Sequence, residues 1–324
     1  MTEYGYSLSS EEHRPERLAE FARQAEQSGF TFALISDHYH PWLDKQGQSG
    51  FVWSVLGAIA AKTERLRVGT GVTCPIIRTH PAIIAQAAAT MGCLMPGRFF
   101  LGVGTGENLN EHIVGEGWPS ATVRREMLRE AVEVIRELWR GESVDHYGEY
   151  YTVEDARIYS VPEQLPAIYV AASGEATAQL AGEIGDGYIG TSPEAELVRT
   201  FDASGGKGKP RYAQVTVCWA KDEADARRTA YEIWPNAALR GEMTAELPLP
   251  RHFEQASKMA REDDVAKVIV CGPDAERHIE KIRKYEEAGF DHIYVHQVGP
   301  DQEGFFRFYE REVLPRLRQR ARAA

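Results

Sequence analysis

Basic charge is what this chain has least of. Its 37 lysines and arginines are outnumbered by 48 acidic residues, giving a net charge of −11 over 324 residues. Nucleic acid or an anionic membrane surface as the main partner requires a basic footprint, so the balance argues against both. An anionic cofactor is still allowed, because a few free backbone N–H groups can hold one inside an acidic protein. Cysteine is scarce as well. Cys74, Cys93, Cys218 and Cys271 are far apart and follow neither CxxC nor zinc-finger spacing, so buried, reduced thiols in a cytoplasmic setting are expected. No set of His, Cys, Asp and Glu has metal-ligand spacing, and no GxSxG elbow occurs. No unbroken apolar run is long enough for a membrane span. The opening "MTEYGYSLSSEEHRPERL" lacks a basic region followed by an apolar one, and both features again point to the cytoplasm.

What is present is an alternation. Hydrophobic residues make up 43% and charged residues 26%, an ordinary globular make-up with ample material for a core. Short apolar runs read as strands: "YGYSLS", "TFALIS", "LRVGTGVTC", "RFFLGVGTG", "AIYVAAS", "DGYIGTS", "QVTVCWA", "KVIVCG" and "HIYVHQ". They are apolar without strict alternation, which suits parallel strands covered on both faces. Amphipathic stretches such as "RPERLAEFARQAEQSGF" and "DAERHIEKIRKYEEAGF" lie between them, and their SGF and AGF endings suit glycine C′ caps feeding the next strand.

Roughly eight βα units imply an α/β TIM barrel, a fold of about 250 residues that tolerates insertions. A single domain over residues 1–324 is expected, with insertion segments after several strands. A doubly wound sheet is the alternative, but "YGYSLSSEEH" lacks the Gly-rich dinucleotide turn. The excess length falls in "DKQGQSGFVW", in "HYGEYYTVEDARIYSVPEQLP", which reads as a small β excursion, and between Trp234 and Asp264. "DASGGKGKPRY" reads as a mobile, solvated loop.

A barrel carries its active site at the C-terminal ends of its strands. The second strand delivers Asp37, His38, His40 and Trp42; the third delivers Gly71, Val72, Thr73 and Cys74; the fourth delivers Thr105, Glu107 and Asn110. His38 is a candidate general base, with Asp37 holding its ring or, equally, making a structural loop contact. Glu107 sits among glycines at a strand mouth, where partial burial can raise a carboxyl pKa and suit it to proton donation. Ser173 and Gly174 open a helix, either as an anion site or as a plain N-cap.

"SDHYHPW", "GTGVTCP", "PAIIAQAAATMGCLMPGRFFLGVGTGENLNE" and "AASGEATAQLAGEIGDG" resemble the bacterial-luciferase-like flavin and deazaflavin oxidoreductases. The resemblance is to the branch using coenzyme F-420 (8-hydroxy-5-deazaflavin) that includes F-420-dependent glucose-6-phosphate dehydrogenase. It implies a TIM barrel, a homodimer, and hydride transfer between a hydroxyl-bearing carbon and C5 of the deazaflavin. His38 is then the base, Asp37 its orienting partner, Trp42 a wall and Glu107 the acid. Val72, after Gly71, matches a residue on a non-prolyl cis peptide behind the ring. Cys74, Thr105, Gly106 and Asn110 match cofactor contacts, and Ala172, Ser173, Gly174 and Ala176 match the turn that holds the cofactor phosphate.

Members that oxidise sugar phosphates hold the phosphate with basic residues. Here the lysine expected after the Thr-Ser pair falls at Glu194 and a second falls near Thr244, leaving Lys267 as a cation, with Arg251 as an alternative. A carboxylate facing a phosphate turns an attraction of about 1 kcal/mol or more into repulsion. The expected substrate is therefore a neutral sugar, lactol or secondary alcohol, with glucose 6-phosphate disfavoured. An FMN-dependent monooxygenase and a non-catalytic F-420-binding barrel are the competing readings.

Overall fold

The computed structural model describes residues 2–239 and 241–321. Its strands are β1 Glu3–Leu8, β2 Phe32–Ile35, β3 Arg67–Thr70, β4 Phe99–Val103, β5 Val144–Tyr147, β6 Thr152–Ala156, β7 Ala167–Ala171, β8 Gly187–Gly190, β9 Arg211–Cys218, β10 Val270–Cys271 and β11 His292–Gln297. Eight of them, β1, β2, β3, β4, β7, β8, β9 and β11, pair in parallel in that order, and β11 returns to β1, which closes the barrel.

The helices are α1 Pro15–Gln27, α2 Val52–Lys62, α3 Pro81–Leu94, α4 Asn108–Glu111, α5 Ala121–Leu138, α6 Glu175–Ile184, α7 Ala195–Phe201, α8 Glu223–Ile233, α9 Met243–Glu246, α10 Pro250–Ser257, α11 Glu262–Val268, α12 Ala275–Glu287, α13 Gln302–Phe308 and α14 Leu314–Ala321. None of the described helices is long and apolar enough to cross a membrane.

The continuous apolar runs are explained by two buried faces. In β2, Phe32 and Leu34 point into the barrel and pack with Phe100, Ile189, Tyr212 and Tyr294. Ala33 and Ile35, one residue out of phase, face the surrounding helices. Tyr169 and Tyr212 stack inside the barrel at 4.9 Å between ring centroids, and Phe32 meets Tyr212 edge-on at 5.1 Å. On the helix side Leu18, Ala22 and Ala25 of α1 are fully buried; burying one leucine contributes about 2 kcal/mol. Gly29 and Gly289 end α1 and α12 at φ +91° and +103°, conformations that favour glycine.

The structure differs from the sequence expectation at several points. "KVIVCG" does not join the barrel: β10 is two residues long and pairs only with Val217 and Cys218 at the end of β9. "DASGGKGKPRY" packs on α6 instead of running free, with Lys209 Nζ donating to the carbonyls of Gly182 and Gly185 at 3.0 and 2.8 Å. An ammonium there satisfies the last carbonyls of α6 and complements its dipole. Cys74, Cys218 and Cys271 are buried, but Cys93 is exposed. The excursion at 144–156 is the antiparallel β5–β6 hairpin, and the stretch after Trp234 folds into α9 and α10 over the C-terminal mouth of the barrel.

Candidate active site

A cavity of about 380 Å³ opens at the C-terminal ends of the strands. It is within the range of small-molecule sites. The loop after β2 contributes His38 and Trp42, and β3 leads into Gly71 and Val72. Thr105, Gly106 and Glu107 follow β4, while Ala172 and Ser173 follow β7. Thr244 lines the cavity from α9. The Gly71–Val72 peptide bond is cis.

The partner of His38 is not its neighbour in sequence. Asp37 is buried and turned away, with Oδ2 accepting from Thr73 Oγ1 at 2.8 Å and Oδ1 from Arg78 Nη2 at 2.8 Å. The carboxylate that faces His38 is Glu11, beyond the end of β1, with Oε1 3.6 Å from Nδ1. Its other oxygen accepts from Ser36 Oγ at 2.6 Å and Ser9 Oγ at 3.0 Å. These bonds and the nearby imidazole hold the Glu11 carboxyl below its ordinary range against the opposing effect of burial. His38 Nδ1 also lies 3.2 Å from the His40 carbonyl. Both neighbours of Nδ1 are acceptors, so in the neutral ring Nδ1 carries the proton and Nε2 the lone pair. The ring packs on Trp42 at 4.9 Å, and Trp42 rests edge-on against Phe253 of α10 at 5.1 Å.

Glu107 stands at the head of α4, where Asn110 Nδ2 donates to Oε2 at 3.3 Å. Asn110 is buried and does not line the cavity. Its Oδ1 accepts from the Tyr39 and His40 amides at 2.9 and 3.2 Å, so it ties the His38 loop to the Glu107 loop. Cys74 also lies behind the cavity wall. Gly106 has φ +71°, and a Cβ there would meet Cys74 Sγ at 2.4 Å, so the turn accepts no side chain. Burial pushes the Cys74 thiol well up, keeping it neutral. Glu111 sits deeper, in an ion pair with Arg78, its Oε2 accepting from the Arg78 amide at 2.7 Å. Burial pushes its carboxyl up to about 7, opposed by Arg78.

Gly174, Ala176, Glu194 and Lys267 do not line the cavity either. Gly174 caps α6 without a side-chain bond, so Ser173 is not the N-cap. Ala176, on the first turn of α6, faces a separate surface groove with Arg125 and Arg129. Glu194 is exposed at the start of α7, accepting from Ser192 Oγ at 2.8 Å. Lys267 is exposed on α11, 3.0 Å from Asp264; a lysine three residues from an aspartate on a solvated helix makes this pair by default. Glu11, by contrast, was missed because "SSEEHRPERL" resembles acidic residues at the start of a helix, although its place beyond the first strand was the available signal.

The family model described as luciferase-like monooxygenase matches residues 1–292. The chain belongs to the luciferase-like family. Among its members, an F-420-dependent glucose-6-phosphate dehydrogenase of Microbacterium testaceum is 40% identical, covering 98% of each chain. One of Nakamurella multipartita is 38% identical, covering 97% of this chain and 96% of that one. Among solved structures, an F-420-dependent secondary alcohol dehydrogenase in complex with an F-420–acetone adduct superposes with TM-score 0.91 at 29% identity, over 98% of this chain and 99% of that chain. A coenzyme F-420-dependent tetrahydromethanopterin reductase from Methanopyrus kandleri shares the fold at TM-score 0.80 and 22% identity, over 98% and 99%.

Proposed function

We propose that this luciferase-like chain, folded as one barrel domain with insertions, is a coenzyme F-420-dependent dehydrogenase/reductase acting on a hydroxyl-bearing carbon. The observation that carries the reading is the convergence of His38 and Glu107 on one cavity. The relatives named above support it, since each is named for the same cofactor.

The residues present fit that group. Gly104 and Val72 both line the cavity, and a Cβ at Gly104 would meet Val72 Cγ2 at 2.8 Å, so glycine there lets the Val72 side chain close up against it. The turn Ala172–Ser173–Gly174 places free N–H groups of α6 at the cavity edge, a setting for a phosphate. When bound, F-420 supplies the carbon that accepts the hydride. His38 Nε2 takes the hydroxyl proton as the carbon becomes a carbonyl, and Glu11 stabilises the imidazolium that results. Glu107, whose Oε2 accepts from Asn110 Nδ2, is the acid that would pass a proton toward the negative charge developing beside it. Trp42 excludes water from the reacting carbon.

Charge points to an uncharged substrate. Glu194 and Thr244 stand where lysines are expected in sugar-phosphate enzymes, and Lys267 is engaged outside the cavity. Among the described residues lining the cavity none is lysine or arginine; Arg240 lies outside the described residues. A neutral sugar, lactol or secondary alcohol fits this lining. The reading also takes the protein as a cytoplasmic homodimer, supported by free cysteines and by exposed Phe51, Ile83 and Leu94 around α2 and α3.

His38→Ala tests the assignment of the base. Cofactor reduction by neutral alcohols and sugars should fall by roughly 10²- to 10⁴-fold, the usual contribution of a general base, with F-420 affinity retained. Unchanged turnover would remove His38 from the mechanism.

A further inference from the structure

The cavity holds a second histidine–carboxylate pair that the proposed hydride transfer does not use. His296, in β11, lines the cavity, and its Nε2 lies 2.8 Å from Glu12 Oε2. Both side chains are nearly inaccessible, at 2% and 4% exposure. Glu12 also accepts from the Gly299 amide at 3.1 Å. The pair mirrors the first one. β1 runs between β2 and β11, and the consecutive residues Glu11 and Glu12 beyond its end each reach the histidine of one neighbouring strand. Each imidazole also meets an indole: His38 lies on Trp42, and His296 meets Trp234 edge-on at 4.5 Å. Trp234 lines the cavity too.

A buried carboxylate normally has its lone pairs satisfied and a buried imidazole both nitrogens. His296 breaks that rule, since its Nδ1 is buried with no hydrogen-bond partner. With Glu12 accepting from Nε2–H, the neutral ring is held in the tautomer that leaves Nδ1 as an acceptor, complementary to a hydroxyl hydrogen. The candidate cofactor contacts lie on β3, β4 and β7, whereas β11 stands across the barrel from β4 in the strand order. His296 is therefore on the side left to the substrate.

Building on the hydride-transfer reading, we propose that His296, held by Glu12, accepts a hydrogen bond from a second hydroxyl of the substrate, so that the enzyme selects polyhydroxy compounds over simple alcohols. His38 takes the proton of the reacting hydroxyl, and His296 fixes the remainder of the molecule.

The test compares aldoses and polyols with single-hydroxyl secondary alcohols of similar size, using the F-420-loaded enzyme and following cofactor reduction. The wild type should favour the best polyhydroxy compound in kcat/KM. His296→Asn and Glu12→Gln should each lower kcat/KM for that compound about tenfold more than for the best simple alcohol, the worth of roughly one hydrogen bond, with the change carried by KM. Nitrogen-15 spectra of histidine-labelled protein give an independent readout. His296 should be the Nε2–H tautomer, and its Nδ1 signal should move on addition of the polyhydroxy compound. Should one variant fail to fold, the other and the spectra still decide. A wild type that binds F-420 without favouring polyhydroxy compounds, or a preference that survives both variants, overturns the proposal. Failure of the wild type to bind F-420 strikes the functional reading instead.

Discussion

Glu11→Gln separates the structural account of the base from the one suggested by sequence adjacency. Glu11 Oε1 lies 3.6 Å from His38 Nδ1, with side-chain exposures of only 4% and 10%. When Nε2 takes a proton, a positive imidazolium forms beside this anion. At an effective dielectric near 20, two unit charges at that separation attract by about 5 kcal/mol. Glutamine keeps the shape and a carbonyl acceptor but removes the charge, so most of that stabilisation is lost as the proton transfers. At 1.36 kcal/mol per decade the rate should fall roughly 10²- to 10³-fold. Anaerobic rapid mixing with F-420 and the best alcohol would measure it, and cofactor fluorescence would show the affinity unchanged. A loss below about fivefold would mean that Glu11 does not act on the base.

Asp37→Asn should act on stability first, because Asp37 serves Arg78 and Thr73. Removing one partner of a buried ion pair costs about 3–5 kcal/mol, so the melting temperature should drop by several degrees; a rate loss with unchanged melting would restore Asp37 as the partner of His38. Glu111 sets a pH dependence. Its folded-state pKa of about 7 lies above the ordinary 4.5, so the folded state binds the extra proton and unfolding free energy should fall as pH rises from about 4.5 to 7, by roughly 3 kcal/mol. Denaturant midpoints measured across that window should lose this slope in Glu111→Gln, and an unchanged slope would assign it to other groups. Glu194→Lys should raise kcat/KM for glucose 6-phosphate several-fold relative to glucose, at low salt most of all; no change would show that the apolar cover over the cavity, not the charge, decides.

The barrel was legible in the sequence because a parallel strand covered on both faces leaves an apolar run, as Phe32 to Ile35 illustrates. The length of a strand was not legible: "KVIVCG" has the same composition as the barrel strands, yet only Val270 and Cys271 pair, because β9 turns to β8 and β11 for its main partners. His38, Trp42, Val72 and Glu107 all follow predicted strands in the sequence, and all four line one cavity. The pairing of Asp37 with His38 failed for a geometric reason. The two side chains diverge past the end of β2, Asp37 turning to Arg78 and Thr73 behind the wall while His38 enters the cavity. Glu12 meets His296 only because β11 closes the barrel onto β1, whereas Glu11 and His38 follow the adjacent strands β1 and β2, a signal that the helix-like "SSEEHRPERL" obscured.

The most direct test of the central claim is a parallel titration of the purified protein with F-420 and FMN, following cofactor fluorescence and heat. Saturable, tight binding of F-420 with little or none of FMN is the predicted result. Tight binding of FMN in place of F-420 would contradict it, and His38 and Glu107 would then have to be assigned to flavin chemistry.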